Sequence, residues 1–350
     1  MTELMTFHIP EKVVGSKSDR ALGADMIAAW QADGIFQIAR SESQEIITHD
    51  GFATNKRFFA RPMGYKAQHT SDLSYTGYIA SGEEITAGKP DYSEIYTVTK
   101  DLPLDDPRVR AGWPCHGPAP WPDLEYRDAM ARFMGALGEI GDKLLRLLAL
   151  ALNLESMDTL ANIARDGWHH MRVLRFPAET PDNEGRGISA HTDYGLLVIA
   201  GQDDVGGLHI RPPVAGEKRP RNWLEDESAA GMFENEEPWT FVTPVPKVFT
   251  VFPGDMFQFI TDGMLLSTPH KVRLASRERY AMAYFHEPNF NACIRPWLRR
   301  SGDRDEFIHY GTHFTNMFIR NYAERMTTKR IIAEDRLTTL AALRTASALA

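Results

Sequence analysis

Two histidines and one aspartate in this sequence have the types and the spacing of a metal site. His191 and Asp193 stand two residues apart, so on a β-strand their side chains would point to the same face. A second histidine, His270, lies far along the chain and could complete the set from a neighbouring strand. Two imidazoles and one carboxylate bind iron(II) and leave positions open for a co-substrate and O2. We therefore predict an iron centre with these three ligands.

A cation and small side chains share one face of the strand pattern that follows His270. Arg279, Ala281, Ala283 and Phe285 alternate there with other residues, so they would line the same side of a strand. A guanidinium group holds a carboxylate through two parallel hydrogen bonds. We predict that this face forms a slot for a short dicarboxylate beside the metal.

Other interpretations of these residues stay open. Arg279 could form a structural ion pair with a nearby acid such as Glu278 or Asp262. Arg172 alternates with apolar residues on the predicted strand His169–Phe176, which makes it a second candidate anion contact. A zinc hydrolase could use the same three metal ligands, although it would leave Arg279 without a role. A catalytically silent barrel that carries a small acid is a third alternative.

The elements that must position these side chains fall into three regions: 1–165, helical and loop; 166–290, a β-barrel core; and 291–350, helical again. Apolar periodicity predicts helices over Asp19–Asp33, Ser43–Phe58, 123–152 and Ser156–Arg165, and from about Thr312 onward. Residues 62–120 are predicted to be ordered loops. The predicted strands of the core are His169–Phe176, Leu196–Ala200, Leu208–Arg211, Thr240–Thr243, Val248–Phe252, Met256–Ile260, Lys271–Leu274 and Tyr280–Phe285. Lys271 and Arg273 should face solvent, and His270 the interior.

Composition excludes several broad classes of protein. The 350 residues are 43% hydrophobic and 25% charged, as in ordinary globular proteins. The formal net charge of -8 argues against a general nucleic-acid binder. Two cysteines without CxxC spacing argue against a disulfide scaffold and fit a reducing compartment. We see no secretory signal and no membrane-spanning run, so we expect a cytoplasmic monomer that acts on small molecules.

The core resembles the iron(II)- and 2-oxoglutarate-dependent dioxygenases of the isopenicillin N synthase-like group. Four long runs are similar to the bacterial ethylene-forming enzymes within that group: Thr76–Asp91, Asp166–Pro177, Ala190–Ala200 and Tyr284–Phe290. The resemblance implies a mixed α and β fold, in which a double-stranded β-helix (jelly roll) is surrounded by helices. It also implies iron(II), 2-oxoglutarate and O2 at the site. Ala281 stands where many relatives have a serine, which removes one hydrogen bond to the carboxylate.

The resemblance further implies roles for individual residues. The iron ligands would be His191, Asp193 and His270. The residues that contact 2-oxoglutarate would be Arg279 at its distal carboxylate, Arg172 near its other end, and Phe285. The residues that surround L-arginine would be Glu84, Thr86, Tyr194, Arg320 and Tyr322. Without the resemblance, Glu84 would be interpreted as a solvated loop charge.

Enzymes of this kind convert 2-oxoglutarate to ethylene and carbon dioxide. In a competing reaction they hydroxylate L-arginine and form succinate, guanidine and pyrroline-5-carboxylate. The resemblance implies both reactions here. The alternative within the same family is a plain amino-acid hydroxylase that makes no ethylene.

Overall fold

Two β-sheets form the centre of the molecule in the computed structural model, which describes residues 4–224, 226–297 and 306–348. The helices of the described residues are α1 Lys17–Asp33, α2 Glu42–Phe59, α3 Met63–Lys66, α4 Pro107–Arg110, α5 Leu124–Ala151, α6 Thr159–Ile163, α7 Asp255–Ile260, α8 Tyr310–Asn321, α9 Met326–Ala333 and α10 Arg336–Ala348. The strands are β1 Thr6–Phe7, β2 Phe36–Ala39, β3 Gly77–Ile79, β4 Ile85–Thr86, β5 Lys89–Pro90, β6 Glu94–Val98, β7 His170–Phe176, β8 Arg186–His191, β9 Leu197–Gln202, β10 Leu208–Ile210, β11 Thr240–Phe241, β12 Val248–Pro253, β13 His270–Arg273, β14 Arg279–His286, β15 Cys293–Ile294 and β16 Ile308–His309. The parts of the predicted terminal regions at 1–3, 298–305 and 349–350 lie outside the described residues.

The larger sheet has eight strands in the order β1-β2-β12-β9-β14-β7-β6-β3, and the smaller has four in the order β11-β10-β13-β8. β14 is antiparallel to both of its neighbours, β7 and β9. Strands from the first part of the chain extend the larger sheet at both edges, because β2 pairs with β12 and β6 pairs with β7. The predicted N-terminal region therefore shares its largest sheet with the predicted barrel core.

The long helix predicted over 123–152 is α5, and it supports the larger sheet from behind. Asp123 caps its N-terminus, because the Asp123 carboxylate accepts a hydrogen bond from the backbone N–H of Tyr126 at 2.7 Å. Its apolar stripe, which includes the fully buried Leu144, packs against α1, α2 and β14. Neither α5 nor any other helix of the described residues is long and apolar enough to cross a membrane.

One predicted strand is wrong: Met256–Ile260 belongs to helix α7. All residues of α7 are buried, and Met256–Ile260 is apolar except for Gln258, so the run fits a buried strand as well as a buried helix. The backbone N–H of Asp255 donates to the carbonyl oxygen of Asp193 at 2.8 Å, which places the start of α7 directly against the predicted metal ligands.

The prediction that 62–120 is all loop is also wrong in part, because β3 and β6 lie within it. Four of the five residues of β6 are buried, so the strand lacks the alternation that would have indicated it.

The prediction that Lys271 faces solvent is wrong, because its side chain is buried. Its ammonium donates to the carbonyl oxygen of Glu234 at 2.6 Å and lies over the Trp239 ring, both on a loop that covers the smaller sheet.

Candidate active site

The three predicted metal ligands meet at the mouth of the barrel. His191 ends β8 and His270 begins β13, and the two residues are directly paired across these antiparallel strands. Asp193 follows two residues after β8, and its carboxylate oxygens lie 3.8 Å from Nε2 of His191 and 3.4 Å from Nε2 of His270. All three ligand atoms lie within 4.8 Å of one another. Within the described part of the chain, this is the one cluster of such residues that could hold a metal ion.

Backbone carbonyl groups fix which nitrogen of each histidine faces the cluster. Nδ1 of His191 lies 2.7 Å from the carbonyl oxygen of Ser189, and Nδ1 of His270 lies 3.1 Å from that of Thr268. A carbonyl oxygen only accepts, so each Nδ1 carries the proton and each Nε2 presents a lone pair. Burial lowers the pKa of both imidazoles to about 4, so both are neutral at physiological pH. Two neutral imidazoles and a carboxylate fit the donor set of iron(II).

Two buried residues that were not predicted, Asn222 and Asp255, support the turn that carries His191 and Asp193. Asn222 donates to Thr192 Oγ1 at 2.6 Å and to Asp255 Oδ2 at 2.9 Å, while its own Oδ1 accepts from the N–H of Ala229 at 2.6 Å. Burial raises the pKa of Asp255 to about 7. Asn222 lies in an irregular loop that has no periodic pattern, so the sequence carries no signal for this contact.

A second buried acid, Glu287, closes the other side of the same turn. Its Oε2 accepts a hydrogen bond from the Tyr310 hydroxyl at 2.8 Å, and burial raises its pKa to about 8. A Cβ atom at Gly195 would lie 1.6 Å from Glu287 Oε2, so only glycine fits beside the carboxyl group. The chain after Asp193 is thus held tightly on both sides.

Arg279 lies at one end of a pocket between the two sheets. Its side chain is 4% exposed and stacks over the Phe176 ring. Its Nη2 donates to Gln202 Oε1 at 3.2 Å, while Nε and Nη1 have no partner among the described residues. The adjacent acid considered above does not neutralise it, because Glu278 binds Arg175 instead. Burial lowers the pKa of Arg279 to about 10, and the nearby charge of Asp203 offsets this effect only in part.

The wall of this pocket is apolar, as the alternation of β14 predicted. Ala281, Ala283 and Phe285 all line it together with Arg279, and His191, Asp193 and His270 lie at its other end. Phe285 stacks on the ring of His170 with centroids 4.4 Å apart, which fixes the orientation of the phenyl ring. A narrow apolar slot with a cation at one end and metal ligands at the other fits a short keto diacid.

Arg172 lies where this pocket meets a second one, and lines both. Its guanidinium donates to Glu84 Oε2 at 2.5 Å, and the Tyr322 hydroxyl donates to Glu84 Oε1 at 2.6 Å. Burial by itself would raise the pKa of Glu84, but Arg172 outweighs it and the pKa is lowered. Glu84 is therefore a buried carboxylate and not a solvated loop charge.

The second pocket collects the other residues predicted to surround L-arginine. Thr86, Tyr194 and Arg320 line it together with Glu84 and two of the three metal ligands, His191 and Asp193. Asn321 lies between Arg320 and Tyr322 at the end of α8, and its Nδ2 donates to the Tyr194 hydroxyl at 2.6 Å. Ten of the eleven predicted site residues thus line two adjoining pockets, and the eleventh, Tyr322, donates a hydrogen bond to Glu84 from outside the two linings. The roles assigned to these residues stay predictions.

Comparison with known proteins agrees with this geometry. Residues 9–124 match the family described as non-haem dioxygenase in morphine synthesis N-terminal, and residues 168–288 match the 2OG-Fe(II) oxygenase superfamily. A 2-oxoglutarate-dependent ethylene/succinate-forming enzyme of Ralstonia nicotianae is 56% identical over 346 residues, which cover 98% of this chain and 100% of the relative. The chain belongs to the 2OG-Fe(II) oxygenase superfamily. It is an iron(II)- and 2-oxoglutarate-dependent oxygenase.

More distant members of the superfamily share the architecture. A homoarginine-6-hydroxylase of Glycine max is 28% identical over 313 residues, which cover 83% of this oxygenase and 86% of the relative. The crystal structure of a full-length Neurospora crassa protein in complex with alpha-KG and thymine superposes with a TM-score of 0.73 at 20% identity, covering 91% of this chain and 97% of that one. The predicted double-stranded β-helix is confirmed.

Proposed function

We propose that this oxygenase converts 2-oxoglutarate to ethylene and carbon dioxide and, in a competing reaction, hydroxylates L-arginine with formation of succinate. The hydroxylated arginine would break down to guanidine and pyrroline-5-carboxylate. The observation that carries the proposal is the pair of adjoining pockets, which share Arg172 and the two metal ligands His191 and Asp193. The Ralstonia nicotianae relative, whose name states that it forms ethylene and succinate, supports the same products here.

In the first pocket the chain binds and orients 2-oxoglutarate. Iron(II) held by His191, Asp193 and His270 would supply the activation of O2 and the oxidative chemistry at the keto acid. Two nitrogens of Arg279 that find no partner among the described residues could donate to the distal carboxylate, which would supply an anion for the guanidinium. The apolar walls exclude water from the carbon chain between the two ends.

In the second pocket the chain offers charged groups of both signs, which complement an amino acid whose side chain ends in a cation. Glu84 is an acceptor for a guanidinium group, and Arg320 is a cation suited to the amino-acid carboxylate. Arginine that binds Glu84 would replace Arg172 as its partner and release the Arg172 side chain toward the C1 carboxylate of 2-oxoglutarate. Binding in one pocket would thereby organise the other.

A specific observation also favours the plain hydroxylase as a second candidate. The Glycine max relative at 28% identity is named for the hydroxylation of homoarginine, and its name states no ethylene. Both candidates use the same two pockets and differ only in whether 2-oxoglutarate itself fragments. A difference of about 1.4 kcal/mol between the two barriers changes the product ratio tenfold.

Product analysis tests the proposal. Enzyme with iron(II), 2-oxoglutarate and O2 is incubated with and without L-arginine, ethylene is measured in the headspace, and succinate and guanidine are counted in solution. We expect ethylene together with succinate and guanidine when arginine is present. Succinate and guanidine without ethylene would favour the plain hydroxylase, and no arginine-dependent product would overturn both candidates.

The expectation of a cytoplasmic monomer stays a prediction, which gel filtration and cell fractionation would check.

A further inference from the structure

The second pocket contains a hydroxyl group whose hydrogen-bonding direction is set by a residue outside it. Thr86 lies in β4, at the turn of the short hairpin that joins β4 to β5. Its hydroxyl donates to Oδ2 of Asp91 at 2.5 Å, and Thr86 itself lines the pocket. Asp91 follows β5, is 0% exposed and is not a pocket residue.

The hydrogen bonds that reach the Asp91 carboxylate from the described residues are all donated to it. Oδ1 accepts from the backbone N–H of Ser189 at 3.1 Å and from Arg186 Nη2 at 3.3 Å, and Oδ2 accepts from Thr86. An ionised carboxylate has no hydrogen to give, so the Thr86 hydroxyl must point its hydrogen at Asp91. Burial raises the pKa of Asp91 to about 6, which leaves it mostly ionised at neutral pH.

The rest of the hairpin is held in place around this contact. The backbone N–H of Asp91 donates to the carbonyl oxygen of Glu84 at 3.0 Å, and Gly82 donates to the carbonyl oxygen of Asp91 at 2.9 Å. Arg186, on the strand that ends at His191, donates to the carbonyl oxygen of Thr86 at 2.9 Å. The hairpin that carries Glu84 is therefore anchored to the metal-bearing strand.

Because the Thr86 hydrogen is committed to Asp91, only lone pairs of its oxygen remain for a molecule in the pocket. The nearby Glu84 carboxylate likewise only accepts. We propose that Asp91 is a positioning residue that makes Thr86 an obligate hydrogen-bond acceptor, so that this end of the pocket binds a donor-rich cationic group and rejects a neutral acceptor. The inference rests on the proposed function, since it concerns how the pocket recognises L-arginine.

Substitution of Asp91 by asparagine tests this assignment with almost no change of shape. The amide can keep its oxygen toward Ser189 and Arg186, and its NH2 group then donates to Thr86, which turns the threonine hydrogen into the pocket. The probe is L-arginine, titrated by calorimetry into enzyme that holds iron(II) and 2-oxoglutarate without O2. We expect Asp91→Asn to weaken arginine binding about tenfold or more, as for loss of a hydrogen bond to a charged group, with 2-oxoglutarate affinity unchanged.

Two further variants separate this role from a general loosening of the hairpin. In a Thr86→Val background, Asp91→Asn should cause no further loss of arginine affinity, because there is no hydroxyl left to orient. Arg186→Met removes an anchor of the hairpin but also a cation that helps to keep Asp91 ionised, so the variant is compared with wild-type enzyme at pH 8, where an ionised Asp91 still holds the Thr86 hydroxyl. If Asp91 acted only as an anchor, Arg186→Met would reproduce the loss, and the loss would persist in the Thr86→Val background; either result overturns the inference.

The outcomes also separate this inference from the proposed function. Wild-type enzyme that binds no arginine overturns the proposed function and the inference with it. Wild-type binding with an unchanged Asp91→Asn affinity overturns the inference alone. If Asp91→Asn does not fold, Thr86→Val and Thr86→Ser still test the inference. Only the valine variant should lose affinity for L-arginine, because serine keeps the hydroxyl group. Equal arginine affinity in the two variants would show that the hydroxyl does not bind arginine and would overturn the inference.

Discussion

Arg172 and Glu84 form an ion pair of 2.5 Å between the two pockets of the site. Both side chains are largely buried, at 13% and 7% exposure, so each depends on the other for compensation of its charge. The pair places a cation beside the predicted 2-oxoglutarate pocket and an anion beside the predicted arginine pocket. It is the contact through which one substrate could affect binding of the other.

Glu84→Gln should raise the KM for L-arginine strongly while it leaves the affinity for 2-oxoglutarate within a few-fold. The amide removes the charge that would attract a guanidinium group, a contact of about 1.5–3 kcal/mol. Glu83→Gln is a matched control, since Glu83 is the adjacent acid and instead pairs with Arg325 at 2.6 Å. Steady-state kinetics with each substrate varied in turn measures both effects. Equal effects of the two variants would contradict the assignment of Glu84.

His270→Ala should abolish iron binding and with it the formation of both products. One imidazole of three ligands is lost, and the remaining His191 and Asp193 do not complete the face that the metal needs. His209→Ala is the control, because His209 lies on the neighbouring β10 and contacts Phe241 instead of the cluster. Metal content after anaerobic loading with iron(II) is the measurement. Stoichiometric iron in the His270 variant would refute the triad.

Arg279→Met should weaken 2-oxoglutarate binding at least tenfold, because the distal carboxylate would lose a charge-assisted partner. In the ligand-free protein the same change should leave the melting temperature unchanged or raise it, since it removes a buried cation with two nitrogens that are unpaired among the described residues. Anaerobic titration and thermal unfolding measure the two effects. A drop in ligand-free stability together with unchanged 2-oxoglutarate affinity would mean that Arg279 is a structural residue.

Protein stability should fall below pH 6.5 partly because of His116. This imidazole is 1% exposed and stacks on Trp168 at 4.1 Å, and burial lowers its pKa from 6.5 to about 3. Between these values the unfolded state binds a proton that the folded state does not, so stability is complete above pH 6.5 and falls as the pH drops. The slope for one proton is about 1.4 kcal/mol per pH unit.

His116→Phe keeps a ring against Trp168 and removes the titrating group. The free energy of unfolding is measured by denaturant between pH 7 and pH 4. Its decrease per pH unit should be smaller in the variant than in the wild type by about 1.4 kcal/mol. Other buried histidines, such as His170, keep part of the slope in both proteins. Identical slopes would show that His116 is not neutral in the folded state.

Local patterns in the sequence were enough to predict which side chains of the core strands face the candidate active site. The alternation around Arg279 predicted the pocket wall. The two-residue spacing of His191 and Asp193 predicted that they share a site, although Asp193 lies in the turn after β8 and not on the strand. These features follow from the period of a strand, which holds in any sheet. Arg172 was predicted in the same way from its apolar company, but its partner Glu84 became a site residue only through the resemblance.

The contacts that depend on irregular chain were not predictable from the residues. Asn222 reaches Thr192 from a loop, and Asp91 reaches Thr86 across a hairpin too short to show a pattern. Lys271 was placed in solvent because no feature of the sequence shows that the loop with Glu234 folds over its strand. Periodicity specifies a face of an element and does not specify what packs against that face.

The metal ligands and the arginine anchor come from opposite walls of the barrel. His191 and His270 lie on the four-stranded sheet, whereas Arg279 lies on the eight-stranded sheet. If Arg279 holds the far carboxylate as proposed, a bound keto diacid would reach from one wall to the other, and the spacing of the walls would select its length. Homologues one methylene shorter or longer would keep the chelating end or the far carboxylate in place, but not both.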